Sequence, residues 1–115
     1  MPYIRVKTAL VIALGSITNF FSLPGLEERA LTMKSLGDAI YLRNKLISHP
    51  EEADFECCAL ERQELLTFVV AGGGFAGVET IASLNDFVRE ALRFYPNLRA
   101  EFLRVVLVHP GPVIL

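Results

Sequence analysis

The fold of this chain is decided by the stretch Leu65-Leu66-Thr67-Phe68-Val69-Val70-Ala71-Gly72-Gly73-Gly74-Phe75-Ala76-Gly77. Its first seven residues are a short apolar run of the kind that forms β-strands, and glycines follow at once. Ala76 to Phe94 then spaces apolar residues at helical intervals, and Arg104 to His109 is again strand-like. Strand, glycine turn, helix and parallel strand make a βαβ unit. The predicted class is therefore α/β, a partial Rossmann-type dinucleotide-binding fold with a preceding strand and helical segment.

The glycines of this stretch match the pattern G-x-G-x-x-G. Gly72 permits the tight turn, Gly74 leaves room for a pyrophosphate, and Gly77 lets the helix pack closely on the sheet. The helix start directs free N–H groups at the phosphates. The predicted cofactor-binding residues of the turn are Gly72, Gly73, Gly74, Phe75, Ala76 and Gly77. A tight turn without a ligand is the alternative, and a P-loop is excluded because no Gly-Lys-Ser/Thr follows.

His109 ends the second strand, where the acidic residue of an NAD site or an arginine of an NADP site is expected. A neutral histidine can hydrogen-bond a ribose hydroxyl, whereas a protonated one can meet a 2′-phosphate. No arginine follows in 110–112, which favours NAD(H) over NADP(H). A histidine that simply faces solvent at the strand end remains the alternative.

The N-terminal part is predicted to contain a strand from Val6 to Leu14, covered on both faces. The turn at Ser22–Gly25 is the candidate domain boundary. Basic residues before an apolar run also imitate a secretory signal, but the run is short and no convincing cleavage site follows. No apolar run reaches the ~18 to 20 residues that span a bilayer.

Two helices are predicted between this boundary and the glycine stretch. The first runs from Ser35 to His49, with Ser35 as N-cap, and Pro50 stops or interrupts it. His49 is then a favourable cation at a helix C-terminus. The second helix opens on the acidic residues from Glu51 and continues to about Glu64.

Composition narrows the function classes. The net charge is −2 at pH 7, so nothing points to nucleic acid as a partner. Hydrophobic residues make up 52% of the chain, which suits either a membrane-associated chain or, as we expect, a fragment whose surfaces pack on other parts. Cys57 and Cys58 are adjacent, which indicates two packed thiols and neither a disulfide framework nor a metal site. No residue is predicted to be catalytic.

Three segments in order, Ala9–Ser16, Leu23–Gly25 and Gly72–Glu79, resemble the middle of a type II NADH dehydrogenase, a member of the pyridine-nucleotide–disulfide oxidoreductase superfamily. The resemblance implies that 1–25 is the tail end of a flavin-binding domain and 26–115 the N-terminal portion of an NAD(P)-binding Rossmann domain. Glu79 matches an acidic residue that lies toward the nicotinamide in this family, although an acid near a helix start is also favoured by the helix dipole. His109 stands where glutamate is commoner.

The same resemblance implies an internal fragment of an FAD-dependent NAD(P)H dehydrogenase that passes electrons to a quinone. The intact enzyme is then expected in the cytoplasm or peripherally on the cytoplasmic face of a membrane. The chain alone is expected to be inactive and prone to self-association. The alternatives are a truncated nucleotide-binding module without activity, or part of a ferredoxin- or rubredoxin-reductase-like flavoprotein.

Overall fold

The computed structural model describes residues 11–114 and confirms the predicted α/β class. Two parallel strands, β1 (Thr67–Ala71) and β2 (Arg104–Val108), pair in register from Thr67↔Arg104 to Ala71↔Val108. The helices are α1 (Leu26–Arg29), α2 (Leu36–Phe55), α3 (Ala59–Leu65) and α4 (Phe75–Ala91), with 3-10 turns at Leu92–Phe94 and Ala100–Phe102. The helix connecting the strands thus begins within one residue of the predicted position.

Helix α4 covers one face of the sheet and contributes the buried residues Leu84 and Val88, four positions apart on one side of the helix. Their apolar surface leaves water when the helix packs, which is the main stabilising term of a small core. The buried cluster consists of Leu46, Ala53, Leu66, Leu84, Val88, Leu92, Leu98 and Leu103. The opposite face of the sheet is more open, since Val69 is 61% and Val108 53% exposed.

Helix α2 starts as predicted. The Asp38 amide donates to the Ser35 hydroxyl at 3.1 Å, and the Ser35 amide donates to the Asp38 carboxylate at 3.0 Å. This capping box satisfies amides that the first helical turn leaves unpaired. Hydrogen bonds from the Lys34 and Ser35 amides lower the pKa of Asp38.

The predicted stop at Pro50 is wrong, because α2 continues through it to Phe55. Proline cannot donate to the carbonyl of Leu46, a loss of about 3 kcal/mol or more in a helix interior. Packing offsets this loss, since Pro50 is fully buried and Ala53 lies in the core. The helix end is also tied down: the Asp54 carboxylate accepts from the Asn97 amide at 2.9 Å.

The second predicted helix, from Glu51 to Glu64, is divided differently. Its first residues belong to α2, the chain leaves the helix at 56–58, and α3 begins at Ala59. The Cys58 amide donates to the Glu56 carboxylate at 2.8 Å, a local bond that competes with helix continuation. Cys57 and Cys58 are free but exposed, so the prediction that they are packed is wrong.

His49 does not lie at a helix C-terminus, since α2 extends beyond it. Its half-buried ring stacks on Phe68 of β1, with centroids 6.0 Å apart and planes at 23°. The ring therefore joins α2 to the sheet, and the predicted cation at a helix end is replaced by a packing contact.

The N-terminal segment differs from the predicted strand. Val11–Leu14 forms no regular structure and is exposed, while 6–10 lies outside the described residues. A strand needs a neighbour to pair its backbone groups, and the segment has none within 11–114. The radius of gyration, 19.9 Å, exceeds the ~13 Å of a compact chain of this length. None of the helices between residues 11 and 114 has the length and apolarity to cross a membrane.

Candidate nucleotide-binding site

The glycine turn lies at the carboxyl edge of the sheet, between β1 and α4. The Gly72 amide donates to the Val108 carbonyl at 2.8 Å, so the turn is anchored on the end of β2. In open α/β sheets, ligands bind outside this edge of the strands. The predicted turn and His109 are therefore brought together by the parallel pairing of β1 and β2.

Two of the glycines are required by the backbone itself. Gly72 has a φ of +119°, which side-chain-bearing residues rarely adopt. A Cβ on Gly77 would lie 1.8 Å from the Gly72 carbonyl oxygen, an impossible contact. Both therefore shape the turn and let α4 approach it closely.

Gly74 is different, because nothing in the described chain requires a glycine there. Its φ of −81° is accessible to any residue, and a Cβ would meet no atom within 4 Å. The space that a side chain would occupy lies open in front of α4. This is the position where the sequence pattern reserves room for a pyrophosphate.

The start of α4 offers hydrogen-bond donors to that space. The first amides of a helix have no carbonyl partner within it, and the N-cap Gly74 provides no side-chain acceptor. The first turn of α4 contains no acidic residue, so no side-chain charge of the turn opposes an anion. The surroundings of Gly74 thus have the space, the donors and the charge that a diphosphate needs.

The remaining predicted site residues on α4 are accessible. Phe75 is 77% exposed, and Ala76 is exposed beside it. Glu79 is exposed one turn further along, where its carboxylate leaves the donors at the helix start free.

His109 makes a contact that the sequence did not predict. Its Nδ1 accepts a hydrogen bond from the Gly73 amide at 3.1 Å. A Cβ on Gly73 would lie 2.7 Å from the ring, and one on Gly111 would lie 2.6 Å from Nε2. The half-buried imidazole is therefore held between two glycine backbones. Gly111 was missed, although a glycine two residues after a strand-end histidine is a visible signal.

Two open clefts lie away from the glycine turn. One is lined by residues such as Asp54, Arg62 and Asn97, and the other by residues 17–25 with Glu27 and Glu28. Neither contains a residue of the glycine turn, because two strands alone do not build the crevice of a Rossmann sheet. Between residues 11 and 114 no three potential ligands cluster to hold a metal ion.

Comparison with known families gives an extended match. The profile of the family described as pyridine nucleotide-disulphide oxidoreductase matches residues 6–115. The matched region includes both strands, the glycine turn and α4.

Individual relatives agree with this match. The chain is 39% identical over 108 residues to "External alternative NAD(P)H-ubiquinone oxidoreductase B4, mitochondrial" of Arabidopsis thaliana, covering 92% of the chain and 18% of that protein. It is 41% identical over 108 residues to "External NADH-ubiquinone oxidoreductase 2, mitochondrial" of Saccharomyces cerevisiae, covering 92% of the chain and 20% of that protein. A "Probable NADH dehydrogenase" of Dictyostelium discoideum is 38% identical over 116 residues, covering 99% of the chain and 26% of that protein. The chain thus spans about a quarter or less of each of these relatives.

Proposed function

Because the chain belongs to the pyridine nucleotide-disulphide oxidoreductase family, we propose that its glycine turn binds the pyrophosphate of NAD(H) within an FAD-dependent NAD(P)H dehydrogenase. The predicted resemblance to NADH dehydrogenases of this family is confirmed by the relatives. In such an enzyme a bound flavin would supply the redox chemistry, and the protein would supply binding and orientation of the nucleotide. In this proposal the chain contributes to nucleotide binding and not to the redox chemistry.

The observation that carries the proposal is the open space at Gly74. Gly72 and Gly77 are explained by the fold alone, whereas Gly74 is explained by a ligand that approaches the backbone. The donors at the start of α4 face the same space. If the turn had only a structural role, nothing in it would require glycine at position 74.

The other site residues take roles around this diphosphate. The amides of Phe75, Ala76 and Gly77 belong to the helix start and donate to the phosphates. Glu79 lies one turn beyond, toward the nicotinamide end of the cofactor. Its carboxylate is exposed and free to accept hydrogen bonds there.

We further propose that NADH is preferred over NADPH, although modestly. His109 ends β2 without an arginine in 110–112, so no permanent cation awaits a 2′-phosphate. The Gly73 amide is a donor to Nδ1, which requires that nitrogen to be unprotonated. A neutral ring suits a ribose hydroxyl better than a phosphate.

The division of the chain also remains a proposal. Residues 1–25 are assigned to the end of a flavin-binding domain and 26–115 to the start of the NAD(P)-binding domain. In the first part, the side chain of Leu14 is 93% exposed. No direct flavin contact is assigned to it.

The electron acceptor and the cellular location are proposed from the names of the relatives. The names of the relatives in Arabidopsis and Saccharomyces specify ubiquinone, which favours a quinone over ferredoxin or rubredoxin as electron acceptor. The same names say mitochondrial and external. We propose work at a membrane surface that faces the cytoplasm, through regions of the enzyme outside this chain.

Replacement of Gly74 by valine tests the function. The side chain would occupy the space of the pyrophosphate, so we expect the full-length enzyme that contains this chain to lose NAD⁺ affinity, while its melting temperature changes little because that space is empty of protein atoms. Calorimetric titration and thermal melting measure both. Ala82→Val, on an exposed position of the same helix, is the matched control.

Equal NAD⁺ affinity of the wild-type and Gly74→Val enzymes would contradict the assignment. NADH oxidation by the chain with added FAD and a soluble quinone would separately contradict the expectation that this part only binds. Loss of NAD⁺ affinity in the full-length variant, together with an inactive 115-residue chain, agrees with both.

A further inference from the structure

The loop between α2 and α3 contains two exposed thiols side by side. Cys57 and Cys58 follow the end of α2 and precede the start of α3, and both are free. Neither belongs to the glycine turn or to the proposed nucleotide site. We infer that the two cysteines form a dithiol site for trivalent arylarsenicals, in which one arsenic atom bonds to both sulfurs.

The spacing of the pair works against a disulfide between the two cysteines. Consecutive Cα atoms across a trans peptide lie about 3.8 Å apart. A disulfide usually joins Cα atoms ~4.4–6.8 Å apart, and departures from this range store strain and make the bond easier to reduce. The adjacency of Cys57 and Cys58 therefore favours the reduced pair, with both thiols available to a ligand.

Neither thiol is committed to a strong contact. The Cys57 thiol donates to the Phe55 carbonyl with a sulfur–oxygen distance of 3.9 Å, a long and weak bond. Cys58 is the N-cap of α3, but its side chain makes no capping hydrogen bond. Both sulfurs can therefore leave their present positions without breaking a strong contact.

The peptide that joins the two cysteines lies outside the helices and can turn. The backbone is extended at Glu56 and Cys58, and neighbouring side chains diverge in an extended chain, so the sulfurs must be brought together. The Cys58 amide donates to the Glu56 carboxylate at 2.8 Å, and this bond opposes the rotation. The Cys58 carbonyl, which accepts from the Arg62 amide of α3, belongs to the next peptide. The sulfurs can thus converge on one atom while α3 is kept.

The number of ligands selects the kind of atom that the pair can hold. A structural zinc site needs four protein ligands, and between residues 11 and 114 no three potential metal ligands cluster. Thiolates prefer soft centres. The arsenic of a trivalent arylarsenical already carries one carbon substituent, so two sulfurs complete its three bonds. The adjacent cysteines match this requirement.

A cleft beside Cys57 offers room for the aryl group. Phe55, Cys57 and Pro96 are among the residues that line it. The Phe55 side chain is 83% exposed, so an aryl ring packed against it would remove apolar surface from water on both sides. The cleft therefore favours an arylarsenical over an arsenical without a ring.

Binding is a substitution that leaves every oxidation state unchanged. When phenylarsine oxide reacts with the pair, two arsenic–sulfur bonds form and the arsenic–oxygen bonding is lost. The two thiol protons leave with that oxygen as one molecule of water, so no oxidant or reductant is needed. The second arsenic–sulfur bond is intramolecular, which should make the pair bind about 10²–10⁴ times more tightly than one thiol.

The test titrates phenylarsine oxide into the full-length enzyme that contains this chain. Mass spectrometry of the peptide with Cys57 and Cys58 should show one phenylarsenic group in place of two thiol protons. Cys57→Ser and Cys58→Ser should each weaken occupancy of this peptide at least about a hundredfold. Ala59→Ser adds a hydroxyl to the neighbouring exposed position and keeps both thiols, so it is the matched control.

Loss of binding in both cysteine variants, with wild-type binding in Ala59→Ser, supports the inference. The two cysteines are exposed, so the variants should melt with the wild type, which shows that they are folded. Equal occupancy in wild type and either cysteine variant would overturn the pairing, and an unmodified wild-type peptide would overturn the site. Methylarsine oxide lacks the ring and should bind more weakly; equal affinity would overturn the role of the cleft. The proposed nucleotide site is independent of all these outcomes.

Discussion

The βαβ unit (67–108) and the N-terminal segment (11–25) contain similar apolar runs. The runs form strands in the βαβ unit but no regular structure in the N-terminal segment. In the first, Phe68 and Val70 form a strand and pack against the core. In the second, Val11 and Leu14 are 85% and 93% exposed and form no strand. An apolar run becomes a strand only where a second strand and a covering helix are available. Within residues 11–114, the βαβ unit contains the partner strand and covering helix that the N-terminal segment lacks.

Gly77→Ala should have the largest effect on the stability of the βαβ unit, because the added Cβ would collide with the Gly72 carbonyl. We expect the βαβ unit to lose about 3 kcal/mol or more of unfolding free energy. Urea unfolding followed by circular dichroism measures it. Gly25→Ala, in the turn before α1, is the control from the other region; a larger loss there would reverse the comparison.

Truncation of a buried leucine should have the next largest effect. Leu66 is fully buried beside β1, so Leu66→Ala should cost about 2–5 kcal/mol. Ile17 is 91% exposed, and Ile17→Ala should change stability by less than about 0.5 kcal/mol. Comparable losses in the two variants would mean that the N-terminal segment is packed in solution.

Removal of the N-terminal segment should reduce self-association of the chain more than it reduces its thermal stability. Its side chains Ile12, Phe21 and Leu23 are mostly exposed, and such surface favours association. We expect residues 26–115 to show a smaller ratio of apparent to calculated mass than the full 115-residue chain, with the same melting temperature. If the ratio of apparent to calculated mass is unchanged, the surface responsible for association would be the open sheet face at Val69 and Val108.

The smallest expected effect concerns the cap of α2. The Lys34 and Ser35 amides lower the pKa of Asp38, so its contribution is present above the unfolded pKa near 3.8 and is lost as pH falls through the lower folded value. Asp38→Asn should therefore melt below wild type at neutral pH, and the gap should close in acid. A gap that is independent of pH would show that the charge contributes nothing.

Local patterns predicted the parts of the molecule that depend on neighbours in sequence. The N-cap at Ser35, the strand before Gly72 and the helix after it could all be predicted from local sequence. Pro50 could not, because its tolerance in α2 depends on burial against distant residues of the core. Val6–Leu14 was predicted as a strand from its apolar run, and such a run does not show whether a pairing partner is available.

The site shows the same division. The glycine pattern predicted that Gly72, Gly74 and Gly77 lie in the turn. It also predicted that the backbone of the turn requires glycine at positions 72 and 77. It did not predict that the imidazole of His109 accepts from Gly73, since a side-chain rotamer is chosen by tertiary contacts. The cofactor roles of all these residues stay predictions until binding is measured.

The bond between Gly73 and His109 also has a consequence for how the chain is made. Its two residues are 36 positions apart, and each residue of β1 is 37 positions from its parallel partner in β2. At a synthesis rate of about 5–20 residues per second, β1 leaves the ribosome ~2–7 seconds before that partner exists. Helix α4 can form at once from local bonds, but the strand before it must wait with its edges unpaired. A nascent chain of this protein is therefore most exposed to chaperones and to misassociation during that interval.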